Sequence, residues 1–172
     1  VVKDGFIMHE DYSRDNGVET VFESDSMTKT ATALLMGVLQ QHGLLDLDKP
    51  IHEYGVVPQA NWSRNKGKVD YFPLVTTRHL LGQTTGVGIY PPGTAFTYDS
   101  DAYLQHLSYL VGNVTGMEPV KWATEYFTKP LGIPNFYLLD LLGPDISVGG
   151  GQMVTCRDAA RFGQLVANKG WW

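Results

Sequence analysis

Phe22-Glu23-Ser24-Asp25-Ser26-Met27-Thr28-Lys29 is the stretch on which the fold turns. Val21 and Phe22 are good sheet formers, so Glu19–Phe22 is read as a strand. The period then changes. Met27, Ala31, Leu34, Leu35, Val38 and Leu39 fall on one helical face, and Gly43 sits where a C-terminal cap belongs. A helix of about four turns is therefore expected to begin at or beside Ser26. Residues three apart share a helix face, so Ser26 and Lys29 can touch. A serine hydroxyl is a poor nucleophile until a base takes its proton. An amine can be that base where burial and neighbouring charge disfavour its protonated form. A helix N-terminus also favours the negative charge that develops in acyl transfer. The spacing alone is equally met by a serine that merely caps the helix.

Outward from this segment, Val1–His9 reads as two short extended runs around the turn Lys3–Asp4–Gly5. Ile51–Tyr54 is a short irregular element after Pro50. Gln59–Asp70 is polar and expected to be exposed. Thr76 or Thr77 can cap a short helix through Arg78–Leu81. Gly82–Gly93 is loop-like. Tyr103, Leu107, Leu110, Val111 and Val114 form a second amphipathic helix ending near Gly116. Pro119 suits the first turn of a third, which presents Val120, Ala123 and Phe127 and stops at Pro130 and Gly132. Gly149–Gly151 is a tight glycine run. Thr155 and Asp158 have the spacing of a capping box for a last helix carrying Ala159, Phe162 and Val166.

The 172 residues suffice for one domain, and 43% hydrophobic with 18% charged residues is ordinary for a globular chain. Apolar runs such as Ala33–Val38 are far too short to span a membrane. A net charge of −5 argues against a nucleic-acid partner, and Arg64, Lys66 and Lys68 read as a solvated loop. The single cysteine, Cys156, excludes an internal disulfide and a multi-cysteine metal site. It is read as a small buried residue. His9–Glu10 and His52–Glu53 lack metal-ligand spacing. Asp46, Asp48, Asp99 and Asp101 are loop carboxylates, too sparse for a calcium loop. No metal or cofactor is expected.

A pattern of five ordered segments adds a second line of reasoning. Phe22…Ser26-Met27-Thr28-Lys29 resembles the first motif of class C β-lactamases, low-molecular-weight penicillin-binding proteins and related esterases. Gly43-Leu44-Leu45-Asp46-Leu47-Asp48-Lys49-Pro50-Ile51 is similar to that family's G-x-L-x-L-D-D-P-V. Thr77-Arg78-His79-Leu80-Leu81 with Gln83-Thr84-Thr85-Gly86 resembles R-H-L-L-T-H-T-S-G-L. Pro92-Gly93-Thr94-Ala95-Phe96-Thr97-Tyr98-Asp99-Ser100 resembles P-G-T-x-F-x-Y-S-N. Gly149–Phe162 resembles G-G-L-x-S-T-A-R-D-L-A-R-F.

The resemblance implies a mixed α/β fold of the β-lactamase/transpeptidase type: an antiparallel sheet flanked by helices, plus a helical lobe. Residues 1–25 would supply N-terminal strands and residues 26–172 a mainly helical lobe, all within one partial domain. The C-terminal sheet strands, with a K-T-G or H-x-G motif, are expected to lie outside this chain, which is read as incomplete. The implied activity is a serine hydrolase acting through an acyl-enzyme on a small-molecule or peptide substrate. Ser26 is its nucleophile, Lys29 its partner, Tyr98 the group that exchanges the proton, and Ser100 the substrate contact. The residues by themselves also allow Tyr98 to be a core tyrosine. Ser100 stands where the family usually has Asn, which favours an esterase, amidase or peptidase over a true β-lactamase. The residues between Gly86 and Pro91 are fewer than the family's active-site loop usually has. A catalytically weak or inactive subunit with a structural or assembly role is the alternative.

Overall fold

The computed structural model describes residues 1–59, 62, 69–98, 104–133, 137–138 and 148–172. Strands β1 (Val2–Lys3) and β2 (Phe6–Ile7) form an antiparallel hairpin that pairs Lys3 with Phe6 and Val2 with Ile7. Asp4 and Gly5 both have positive φ, at 52° and 81°. Such a pair matches the right-handed strand twist, and Asp-Gly adopts it at little cost. The second sheet has the order β3-β5-β4, with β3 Val21–Glu23, β4 Tyr137–Leu138 and β5 Gln152–Thr155. Strand β5 lies between its neighbours and is antiparallel to both, with Phe22 opposite Val154 and Tyr137 opposite Met153.

A 3-10 turn at Asp25–Met27 leads from β3 into helix α1, Thr28–Gln41. Helix α1 ends in a Schellman arrangement: Leu44 N–H donates to the Leu39 carbonyl and Gly43 N–H to the Gln40 carbonyl, with Gly43 at φ 71°. Leu35, Met36 and Leu39 are almost wholly buried, each contributing about 1.5–3 kcal/mol of transfer free energy. The buried face is turned from the expected one. Met27 is 49% exposed, while Thr28 and Thr32 are 0% and 2% exposed. The hydroxyls are buried because backbone partners from residues 148–152 meet them.

Helix α2 (Thr77–Leu81) starts at Thr76, whose hydroxyl accepts from His79 N–H in a reciprocal capping box. Helix α3 (His106–Thr115) buries Leu107, Leu110 and Val111 and stops at Gly116 in the left-handed region. Tyr103, expected on the same face, lies outside the described residues. Helix α4 (Pro119–Ala123) begins on Glu118, whose carboxylate accepts from two backbone N–H groups. It runs on through a π-turn at Thr124–Thr128 and a 3-10 turn at Lys129–Leu131 to left-handed Gly132. Helix α5 (Cys156–Ala167) is capped by Thr155, which accepts from Asp158 N–H at 3.1 Å. The Asp158 carboxylate does not close the box; it pairs with Arg161.

One core cluster gathers α1, α3, α4 and α5 with residues from the intervening turns. Two expectations fail here. Trp62, inside the stretch read as exposed, is 1% exposed and packs edge-on against Phe72 with centroids 5.3 Å apart. An isolated large aromatic within a polar run carries enough apolar area to be drawn into the core. Cys156, read as buried, is exposed at the first turn of α5. There its side chain faces away from Phe162 and Leu165, the buried residues of that helix. The basic residues 64, 66 and 68 lie outside the described residues. No helix among the described residues is long and apolar enough to cross a membrane.

Candidate active site

Ser26 is held by the junction between β3 and α1. Ser24 N–H donates to the Gln152 carbonyl at 2.8 Å, continuing the β3–β5 ladder one step past the strand. The chain then turns sharply at Asp25, whose φ of 44° is uncommon for a residue with a Cβ. Met27 N–H donates back to Ser24 O at 3.0 Å and closes the turn. Ser26 therefore stands exposed within a tight turn, two residues before the first residue of α1.

Lys29 follows within the first turn of α1 and is half-buried. Its Nζ donates to Ser26 Oγ at 3.0 Å and to the Gly149 carbonyl at 2.6 Å. Tyr98 reaches the same point from a distant part of the sequence, its hydroxyl 2.6 Å from Ser26 Oγ. Lys29 Nζ also lies 4.8 Å from the centre of the Tyr98 ring, within the range of a cation–π attraction. Tyr98 is 56% exposed, so it is not a core tyrosine. Three chemistry-bearing atoms thus meet at one point.

The segment carrying Tyr98 is anchored to the end of α2. Gly93 N–H donates to the Thr84 carbonyl at 2.7 Å, and Thr97 N–H donates to the Gln83 carbonyl at 2.9 Å. Gly93 needs its freedom, with φ at 85°; a Cβ there would also lie 3.4 Å from His79 Nε2. His79 lies beside this turn and caps its own helix. Burial holds its imidazole below the usual histidine range, with the nearby Asp48 carboxylate opposing.

Of the four residues expected to form the site, Ser26, Lys29 and Tyr98 come together. Ser100 lies outside the described residues. Sequence reasoning missed four participants. Asp25 supplies the strained turn, and Gly149 supplies a carbonyl to Lys29. Thr28 and Thr32 tie α1 to the chain on either side of that carbonyl. The glycine run at 149–151 was visible, but its contact with Lys29 spans 120 positions and no local pattern reports it.

Comparison with known proteins bears on the fold and the family. No curated protein matches the sequence. Among solved structures, a protein assigned as a 6-aminohexanoate-dimer hydrolase from Bacillus anthracis superposes with a TM-score of 0.79 at 18% identity. The match covers 99% of this chain and 54% of that one. D-alanine carboxypeptidase AmpC from Burkholderia cenocepacia matches with a TM-score of 0.69 at 20% identity, over 86% of this chain and 50% of that one. A β-lactamase from Mycobacterium bovis matches with a TM-score of 0.66 at 26% identity, over 87% and 49%. The likeness shows a β-lactamase/transpeptidase-type fold, and the chain spans about half the length of these structures. The Beta-lactamase family pattern matches residues 1–170, a span that takes in both the Ser26–Lys29 turn and the segment bearing Tyr98. On that match, this chain belongs to the Beta-lactamase family.

Proposed function

We propose that the protein is a serine hydrolase that forms an acyl-enzyme on Ser26 from small esters, amides or peptides. One observation carries the reading: Ser26 Oγ lies within hydrogen-bond distance of both Lys29 Nζ, at 3.0 Å, and the Tyr98 hydroxyl, at 2.6 Å. The Ser26 proton passes into the Lys29–Tyr98 pair as Oγ attacks the substrate carbonyl carbon. The same pair returns that proton to the departing alkoxide or amine as the carbonyl reforms. Water then repeats the sequence on the ester of Ser26 and releases the acid. Nucleophile and base within hydrogen-bond reach place the reacting atoms before substrate arrives.

Ser100 is assigned the substrate contact that Asn makes elsewhere in the family. Its shorter hydroxyl favours esters and simple amides over β-lactams. Membership of the Beta-lactamase family supports the reaction class.

The test is covalent labelling of the full-length protein with a fluorophosphonate probe, read by intact mass. One probe per molecule is expected, with none on Ser26→Ala. Labelling that survives Ser26→Ala overturns the assignment. Hydrolysis of a p-nitrophenyl ester exceeding that of a chromogenic cephalosporin is the expected substrate preference.

A further inference from the structure

The Lys29 side chain meets the Gly149 carbonyl, yet nothing in residues 149–151 can hold that carbonyl in place. Gly149, Gly150 and Gly151 have no side chains to pack, and glycine has the widest backbone freedom of any residue. A Cβ at Gly150 would meet nothing within 4 Å. Order has to come from the flanks, and two buried threonines of α1 provide it. Thr32 Oγ1 donates to the Val148 carbonyl at 2.7 Å, and Thr28 Oγ1 accepts from Gln152 N–H at 3.0 Å. The glycines are thus pinned at both ends to the helix that carries Lys29.

The geometry at Val148–Gly149 is specific. In an extended chain successive carbonyls point to opposite sides. Here the carbonyls of Val148 and Gly149 both face α1, one bound by Thr32 and the next by Lys29. The backbone turns at residues 148–150 to allow this. Thr32 lies three residues after Lys29, on the same helix face. We propose that Thr32 is a positioning residue: by holding the Val148 carbonyl it orients the next one, Gly149, so that Lys29 is clamped against Ser26. Thr28 acts with it from the other end of the glycine run. This rests on the reading of Ser26 and Lys29 as the reacting pair. It adds to that reading the device that aims the amine.

The energetic logic is one of specificity rather than bulk stability. Replacing Thr32 by valine keeps the shape and removes only the hydroxyl, leaving the Val148 carbonyl of an almost wholly buried residue without its donor. Without that bond the glycine run can rotate and Lys29 loses a fixed acceptor. Misplacement of a reacting group by about 1 Å can cost on the order of a hundredfold in rate.

The experiment compares wild type, Thr32→Val, Thr32→Ser and Ser26→Ala in the full-length protein, using a p-nitrophenyl ester and amide hydrogen exchange. Thr32→Val is expected to lower kcat by about ten- to a hundredfold with KM within about threefold of wild type. Thr32→Ser, which keeps the hydroxyl, restores kcat. Exchange across Val148–Gln152 rises about tenfold in Thr32→Val, the equilibrium equivalent of one net hydrogen bond. Unchanged kcat in Thr32→Val, even with a lower unfolding midpoint, overturns the proposal, because it leaves Thr32 a purely structural residue. The serine reading fails separately. If Ser26→Ala still hydrolyses the ester, that reading is wrong, and exchange at Val148–Gln152 alone then decides whether Thr32 orders the glycine run.

Discussion

Asp25 shows how one residue joins the fold to the site. The chain must leave β3 and enter α1 within a few residues while aiming Ser26 outward. It does so by placing Asp25 at φ 44°. Asp tolerates this region better than most side chains, and a β-branched residue tolerates it badly. Asp25→Val is expected to lose about 1–2 kcal/mol of unfolding free energy, and Asp25→Gly to match or exceed wild type. Urea titration of the three proteins checks this, and equal midpoints for Val and Gly would remove the strain. The same scale marks the limit of what a sequence displays. The meeting of Ser26, Lys29 and Tyr98 is legible in residue type, spacing and the order of flanking motifs. Thr28 and Thr32 are not, since hydrophobic periodicity assigns hydroxyls to the surface. Their burial depends on carbonyl and amide partners more than a hundred positions away.

At the scale of elements, local rules predicted well wherever the partner lay nearby. The Asp4–Gly5 turn, the Gly43 and Gly116 stops and the Thr76 and Thr155 caps each act within a few residues. The π-turn at Thr124–Thr128 had no such local signature. Helix α2 carries a pH response. His79 Nδ1 accepts from Thr76 N–H at 3.2 Å, a role that only an unprotonated nitrogen can fill. Burial lowers its folded pKa below the ordinary value, so the unfolded chain binds the proton more readily. The resulting stability is complete above the unfolded value, about 6.5. It declines as pH falls below that value toward the folded one. His79→Gln keeps a capping-box acceptor that does not titrate. Wild type should lose more urea stability than His79→Gln between pH 7.5 and 5.5, and parallel losses would contradict the account.

For the whole molecule, a polar clamp joins Glu10, three residues past β2, to Arg157 in the first turn of α5. Arg157 donates to both Glu10 oxygens, at 2.9 and 2.7 Å, and the Tyr12 hydroxyl donates to Glu10 at 2.6 Å. These bonds hold the Glu10 carboxyl down to about 2. A depressed carboxylate stabilises the fold above its unfolded pKa, and that contribution is lost as pH falls from about 4.5 toward 2. The group is exposed, so salt should weaken the effect. Glu10→Gln is expected to flatten the acid loss of stability between pH 5 and pH 3, measured by urea midpoint. An unchanged slope would place the acid sensitivity elsewhere. The clamp is not legible in the sequence, because the partner of Glu10 lies 147 positions on.

The central proposal is that Ser26 Oγ is the atom that reacts, and it rests on the contacts of that oxygen with Lys29 and Tyr98. Incubation with p-nitrophenyl acetate, acid quench within the first turnover and peptide mapping by mass spectrometry tests it most directly. The account predicts a single acetyl adduct on Ser26 that disappears on chase and is depleted in Lys29→Met and Tyr98→Phe. An acetyl group at another residue, or turnover with no adduct on Ser26, would contradict it.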